Sequence, residues 1–320
     1  METKIQRWTK QGNLFSVPPG RPWMLSHAQI PVVDVIEPNL LRIYFGTRDA
    51  ENRTSTGLLE VRADDPSKPI YLSEDPILAP GKLGGFDDCG AMPSCIVTHN
   101  GLKFLYYIGW NRRTTIPYHN SIGLAVSEDG GRTFERLFDG PIMDRTHVEP
   151  YFVATPCVVV EGTKWRMWYA GCTDWTMVHG IVEPKYQIKY AESDDGIIWR
   201  RENQVCIDYR SETEANCRPC VMRRGQKYCM WYCYRDICDY RTDRQQGYRM
   251  GYAESANGIE WTRMDSCANL EPSAEGWDSE MIAYPYLFKF RNRLHVLYNG
   301  NGFGKSGFGL AVAEDEELIA

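Results

Sequence analysis

The chain has 320 residues, a formal net charge of −6, and charged and apolar fractions of 24% and 43%, the balance of an ordinary soluble globular protein. It has no basic block that would make a nucleic-acid surface, no apolar run of membrane-spanning length, and no signal-peptide core in its first eight residues. A cytoplasmic protein without nucleic-acid or membrane partners is therefore expected. Eleven cysteines, an odd number scattered through predicted strands, read as small apolar residues in a reducing compartment.

Taken in chain order, the sequence repeats. Marker prolines stand at Pro31, Pro93, Pro156, Pro219 and Pro285, and an aromatic follows each in step at Tyr44, Tyr107, Tyr169, Tyr232 and Tyr298. Each proline opens an apolar run, a polar turn reverses the chain, and the tyrosine sits in the returning run, which is the pattern of a β-hairpin. A third strand follows in the form Ile188-Lys-Tyr-Ala-Glu-Ser193 or Met250-Gly-Tyr-Ala-Glu-Ser255. Tight Asp195-Gly196 or Asn257-Gly258 turns then lead to a fourth strand carrying Trp199 or Trp261. Four antiparallel strands recurring roughly every 63 residues describe an all-β fold, a five-bladed β-propeller. The last unit runs out after three strands, and Trp8-Thr-Lys10 echoes Trp261-Thr-Arg263, so the N-terminal strand is expected to complete the last blade. The blades fall at roughly 24–80, 86–143, 150–208, 214–270 and 278–320 plus 4–12, forming one domain over 1–320.

Function is expected where the chain approaches each first strand and leaves each second strand, because those ends open on one face. Five residues before three of the marker prolines stand Asp88, Glu214 and Glu280, while His27 and Glu149 precede the other two and Tyr284 stands directly before Pro285. The loops after the second strands add Arg48, Asp49, Trp110, Asn111, Asp174, Trp175, Arg235, Asp236 and Asn299. Planar aromatics stack on sugar rings and forked donors hold hydroxyls or carboxylates, so a small molecule or oligosaccharide is the expected ligand. Asp88, Glu214 and Glu280 are the candidate catalytic acids: carboxylates crowded into one pocket drive one pKa upward, and a protonated acid beside an ionised one is what glycoside hydrolysis uses. Each could instead anchor a loop by accepting backbone N–H bonds. His27 and His147 are suitable ligand types for a metal, but no tight ligand spacing accompanies them, and neither a metal nor a cofactor is expected. Cys217-x-x-Cys220 flanks a marker proline and reads as packed strand, and nothing in the repeat speaks to oligomeric state.

The repeat set resembles the five-bladed β-propeller glycosidases, the arabinanase, β-xylosidase and invertase superfamily. The likeness rests on hairpins such as Pro156-Cys-Val-Val-Val-Glu-Gly-Thr-Lys-Trp-Arg-Met-Trp-Tyr-Ala-Gly171 and blade ends such as Ala191-Glu-Ser-Asp-Asp-Gly-Ile-Ile-Trp199. It implies a carbohydrate-active enzyme of glycoside hydrolase type, hydrolysing or transferring a glycosyl unit. Those glycosidases carry an Asp directly before the first proline and acids beside the later motifs. Here the residues before the prolines are Ile30, Met92, Thr155, Arg218 and Tyr284, none acidic. That departure opens a second expectation, a non-hydrolytic lyase, isomerase or cyclase on a sugar-derived or other small polar molecule, and a third, a non-catalytic carbohydrate-binding propeller. Arg218 and Tyr284 join the candidate binding residues. Ser127-Glu-Asp-Gly-Gly-Arg-Thr-Phe134 resembles the Asp-box turn of sialidases and reads as structural, at the outer end of a blade.

Overall fold

A computed structural model describes residues 6–37 and 39–314; residues 4, 5 and 315–320 of the expected last blade lie outside them. The described chain is β throughout, apart from one turn of 3-10 helix at Asp265–Cys267 and a four-residue helix at Asn301–Gly304. No helix is long and apolar enough to cross a membrane.

Among the described residues the strands form three sheets of four and one of eight. The eight-stranded sheet contains two antiparallel sets, Ser26–Glu37, Leu40–Arg48, Thr54–Arg62 and Asp65–Leu72, then Gly90–His99, Leu102–Arg112, Tyr118–Ser127 and Glu135–Arg136. A single parallel bridge, Thr54 to Gly90, joins them. Gly90 sits at φ +156°, where a Cβ would lie 2.5 Å from the Trp110 indole nitrogen and 2.7 Å from Thr54, so only glycine permits this approach. The next two sheets open with Val153–Glu161 and Glu214–Arg224. In the last, the N-terminal strand Trp8–Phe15 pairs antiparallel with Phe308–Ala313, placing Trp8 opposite Ala313. This is the expected completion of the last unit.

The first strand of each unit packs on the first strand of the next, and Ala283–Phe290 packs on Ser26–Glu37. Asn299 ties these last two units together. Its amide oxygen accepts the Ile30 N–H at 2.8 Å and its amide nitrogen donates to the carbonyls of Ala28 and Gly307 at 2.6 and 2.8 Å. Apolar side chains from facing sheets fill the space between units, with Trp168, Trp231 and the five marker tyrosines fully buried.

The marker prolines lie at irregularities in pairing. The register shifts between Gln29 and Val32, Pro93 and Cys95, Ala154 and Cys157, Cys217 and Cys220, and Ala283 and Tyr286. At four of the five, the residue before the proline adopts a left-handed backbone: Ile30 at φ 49°, Thr155 at 47°, Arg218 at 57° and Tyr284 at 53°. Such conformations cost about 1–3 kcal/mol each for non-glycine residues and persist only where the surroundings impose them. A bulge re-aims the side chains it carries.

A second repeated device fixes the outer part of four units. In three of them a buried acid ahead of the first strand receives the marker tyrosine hydroxyl and pairs with a basic residue from later in the same sheet or its outer edge, and in the other the tyrosine's acid follows the outermost strand. Tyr107 donates to Asp87 at 3.0 Å and Arg136 pairs with Asp87 at 2.7 Å. Tyr169 donates to Glu149 at 3.0 Å, with Lys189 and Arg201 each 3.1 Å from the same carboxylate. Tyr298 donates to Asp278 at 3.0 Å, and Lys10 of the N-terminal strand pairs with Asp278 at 2.6 Å. In the fourth unit the acid is doubled: Tyr232 donates to Asp265, and Arg263 bridges Asp265 at 2.8 Å and Glu214 at 2.7 Å. The first unit lacks this acid, and Tyr44 donates instead to the Gly131 carbonyl at 2.9 Å.

Candidate functional site

Ile30, Met92, Thr155 and Tyr284, each the residue before a marker proline, line a cavity of about 390 Å³ at the end of the first strands. This is within the range that takes a small molecule. Two aromatic groups wall it. Tyr118, Phe152 and Tyr186 form one, with Tyr118–Phe152 and Phe152–Tyr186 centroids 5.8 and 6.2 Å apart. Tyr240, Phe303, Tyr248 and Tyr284 form the other, linked at 5.8, 6.0 and 5.5 Å. Trp110 closes a third side and donates its indole N–H to Thr54 at 3.2 Å.

Three arginines enter this cavity: Arg48, Arg235 and Arg241. Arg235 is 2% exposed, and its guanidinium lies 3.7 Å from the Tyr240 ring centroid. Its Nε donates to both the Tyr186 and Tyr248 hydroxyls, at 3.0 and 3.2 Å, and those two oxygens are 2.6 Å apart. Burial works against its charge, but the surrounding phenols of Tyr186, Tyr248 and Tyr240 outweigh it and hold the proton firmly. Burial raises the Tyr186 and Tyr248 hydroxyls well above the ordinary phenol range, so both stay protonated; one donates to the other, and the second keeps its O–H to offer. Glu183 lies behind this group, accepting from the Tyr240 hydroxyl at 2.7 Å and Arg241 Nε at 2.9 Å, with Arg235 at 3.7 Å. Arg48 donates from Nε to Gln29 at 3.0 Å, and its pKa is depressed by burial and by the charge of Arg241. Among the described residues no Asp or Glu side chain lines the cavity.

Of the residues singled out from sequence, Arg48, Trp110, Arg235 and Tyr284 come together here. The expected convergence of Asp88, Glu214 and Glu280 across the axis is not what the structure builds. Glu214 is the buried acid of the fourth unit. Burial alone would raise its pKa, but hydrogen bonds from Arg263 and the Arg210 backbone hold it below the usual carboxylate range. Asp88 faces an outer groove shared with Asp49 and Arg53, and accepts the Gly84 N–H at 3.0 Å. Glu280 is exposed, and its backbone N–H donates to Asn301.

Other expected binding residues also have local partners. Glu149 and Asn299 are the structural groups described above. Asp49 caps the turn to Arg53, Asn111 donates to the Gly85 carbonyl, and Asp236 takes the Thr213 hydroxyl and the Cys238 N–H. Asp174 is exposed and accepts the N–H of Trp175, whose ring packs behind Tyr118 and Phe152. His27 is half-buried outside the lining, its pKa lowered to about 4 by burial and by Arg48 and Lys305. Arg218, 1% exposed, does not reach the cavity: it spans the ring to the Ser94 carbonyl at 2.6 Å and the Pro31 carbonyl at 3.4 Å. Among the described residues no cluster of three or more His, Cys, Asp or Glu side chains is arranged to hold a metal ion.

Sequence reasoning missed Gln29, Asn120, Tyr118, Tyr186, Tyr240, Arg241, Tyr248 and Phe303. For Tyr186, Tyr240, Arg241 and Tyr248 the available signal was length: the second and third strands of the third unit extend to Val178 and from Ile181, and the fourth unit carries a 12-residue excursion between Asp236 and Arg249.

No protein-family model matches the chain. The uncharacterized proteins MT1551 and Rv1502 of Mycobacterium tuberculosis are each 38% identical to it over 309 residues, 96% of this chain and 99% of theirs. A solved structure from work on the GH130 family of mannoside phosphorylases, and its glycoside hydrolases that target β-1,2-mannosidic linkages in Candida mannan, superposes with a TM-score of 0.72. It is 14% identical, covering 100% of this chain and 99% of that one. A thermostable family-43 glycoside hydrolase superposes with a TM-score of 0.66 at 16% identity, covering 93% and 91%. These neighbours are members of the five-bladed β-propeller glycosidase superfamily, and at such identities the likeness is one of fold.

Proposed function

The chain belongs to the same family as the uncharacterized Mycobacterium tuberculosis proteins MT1551 and Rv1502, and from that premise and its glycosidase-type fold we propose a cytoplasmic, carbohydrate-active enzyme acting on a small sugar-derived molecule. We infer five blades, one for each set of four strands, with the site at the mouth of the central channel. The observation that carries the reading is the central cavity: aromatic walls for sugar faces, Gln29, Asn120 and Thr155 for hydroxyls, and no lining carboxylate among the described residues. Such a lining supports chemistry by a positioned donor group, the hydrogen-bonded Tyr186–Tyr248 pair with one O–H to offer and the Arg235 guanidinium behind it, which stabilises negative charge developing on a substrate oxygen. A non-hydrolytic lyase, isomerase or cyclase fits this donor set better than a carboxylate acid–base pair.

Hydrolysis is the second reading, favoured by the fold neighbours. It has one carboxylate close to the cavity, Glu183, which is already engaged by Tyr240 and Arg241. Incubation with neutral oligosaccharides and with monosaccharide derivatives in ¹⁸O-water, followed by mass spectrometry, separates the two. The proposal expects a rearranged or eliminated product without solvent oxygen, abolished in Tyr248→Phe. Release of a labelled free sugar, lost in Glu183→Gln and retained in Tyr248→Phe, overturns it in favour of hydrolysis.

A further inference from the structure

The charge around the cavity does not balance. Three guanidiniums line it, and Glu183 is the carboxylate that pairs with two of them, Arg235 and Arg241. Lys305 lies close enough to help depress His27, and the buried guanidinium of Arg218 lies among the residues that follow the lining positions Ile30 and Met92. Arg218 has no carboxylate partner among the described residues, and its Nε is buried without a hydrogen bond. The accumulation is local, in a chain whose overall charge is −6. Gathering like charges in a partly dry pocket is unfavourable unless something of opposite sign arrives to compensate them.

The hydrogen bonding of Arg48 and Arg241 indicates where that compensation comes. Both are anchored through Nε, to Gln29 and Glu183, so their planes are fixed by the protein. Their terminal Nη groups have no hydrogen-bond partner among the described residues. Arg48 comes from the end of the strand Leu40–Arg48, and Arg241 from the excursion after Lys227–Asp236. Two anchored guanidinium forks from different elements suit an anion with at least three oxygens. A carboxylate is saturated by one fork, whereas a phosphate group can accept both.

Resting on the reading of this cavity as the carbohydrate site, we propose that its ligand is a phosphorylated sugar derivative, with the phosphate group held between Arg48 and Arg241 and the sugar directed toward Trp110 and the Tyr118–Phe152 wall. The Arg235–Tyr186–Tyr248 donor group stands beside the sugar.

The test is isothermal titration of the full chain at low ionic strength with inorganic phosphate, glucose 6-phosphate and glucose, using Arg48→Gln, Arg241→Ala, Trp110→Ala and a control, Arg200→Ala, at a surface ion pair with Asp194. Unfolding midpoints of the unliganded variants verify that each is folded. The expected result is saturable binding of phosphate-bearing probes, weakened about tenfold or more in Arg48→Gln and in Arg241→Ala and unchanged in Arg200→Ala. Glucose 6-phosphate binding more tightly than inorganic phosphate assigns the group to an ester, and equal affinities assign it to free phosphate. Absence of phosphate-dependent binding at millimolar concentration, or binding indifferent to both arginine substitutions, overturns the inference. If glucose alone binds and loses affinity in Trp110→Ala, the carbohydrate reading stands while the phosphate inference falls. Phosphate binding that needs both arginines while neither sugar responds to Trp110→Ala has the opposite meaning.

Discussion

Two regions of this molecule use charge in opposite ways. Around the outside of the units, Asp87, Glu149, Glu214 and Asp278 are buried, and each is paired with a cation and set in a hydrogen-bonded group that includes a marker tyrosine. In the central cavity, arginines gather with fewer carboxylates than guanidiniums, and two of their forks stay open. Glu214, whose two oxygens are engaged by Arg263 and Arg210, is held below the usual carboxylate range and is a poor proton donor. A cation without its counter-charge is one that a ligand can complete. The acids hold the units in shape, and in the function proposed above the arginines prepare the site.

The sharpest way to break this contrast is to remove an outer acid. Glu214→Ala removes the buried acceptor of Arg263, of the half-exposed Arg210 side chain and of the Arg210 backbone N–H, while Asp265 still pairs with both arginines; at about 1.5–3 kcal/mol for each hydrogen bond lost to a charged group, a cost of about 3 kcal/mol or more is expected. A large fall in the urea midpoint is expected, in contrast to a small one for Arg241→Ala, whose side chain is 50% exposed. Equal losses in the two variants would erase the distinction between scaffold and site.

Asn299→Ala is expected to come next. It strands the Ile30 N–H and the carbonyls of Ala28 and Gly307, at about 1–3 kcal/mol for each group that cannot find water. Because Ile30 lines the cavity from a left-handed backbone, the same change loosens one wall of the site. Hydrogen exchange measured by mass spectrometry should show faster exchange in 26–31 and 299–308 and little change in 153–171; a uniform increase would deny Asn299 its local role.

The fold was legible because its signals are local and recur: the prolines mark bulges, the tyrosines mark second strands, and Trp8-Thr-Lys10 reads as the missing outer strand down to Lys10 pairing with Asp278, as Arg136 does with Asp87. The site was only half legible. Arg48, Trp110, Arg235 and Tyr284 keep fixed distances from the markers, whereas Tyr186, Tyr240, Arg241 and Tyr248 ride on extensions that depart from the template. The acids misled for a related reason. Asp87, Glu149, Glu214 and Asp278 lie six, seven, five and seven residues before their prolines, so counting back five residues found Glu214 but selected Asp88 and Glu280 instead of their neighbours. What identifies the scaffold acid is its cation, some 50 residues away in three units and at the opposite end of the chain in the last, a pairing invisible to spacing alone.

His27 gives the contrast a pH dependence. Its folded pKa of about 4 lies below the ordinary 6.5 because burial disfavours the cation and Arg48 and Lys305 repel it. Between these values the unfolded chain takes up the proton first. The stabilising contribution is therefore complete above about pH 6.5 and is lost as pH falls toward 4. His295 is depressed in the same direction, so the informative quantity is the difference between the wild type and His27→Gln. The variant should lose less stability across that window, and parallel curves would show that His27 is not depressed in the folded chain.

The smallest effects are expected where sequence reasoning looked for the chemistry. Asp88→Asn keeps the acceptor that meets the Gly84 N–H, and Glu280→Gln alters a side chain exposed to solvent, so each should change stability by no more than about 0.5 kcal/mol. Neither residue lines the central cavity, so ligand affinity and turnover should also stay at the wild-type level. The pair is a strict control because both substitutions preserve shape and remove only a negative charge. A large fall in turnover in either one, with the unfolding midpoint unchanged, would mean that an acid moves into the site when substrate binds, and the division between structural acids and functional arginines would fail at that residue.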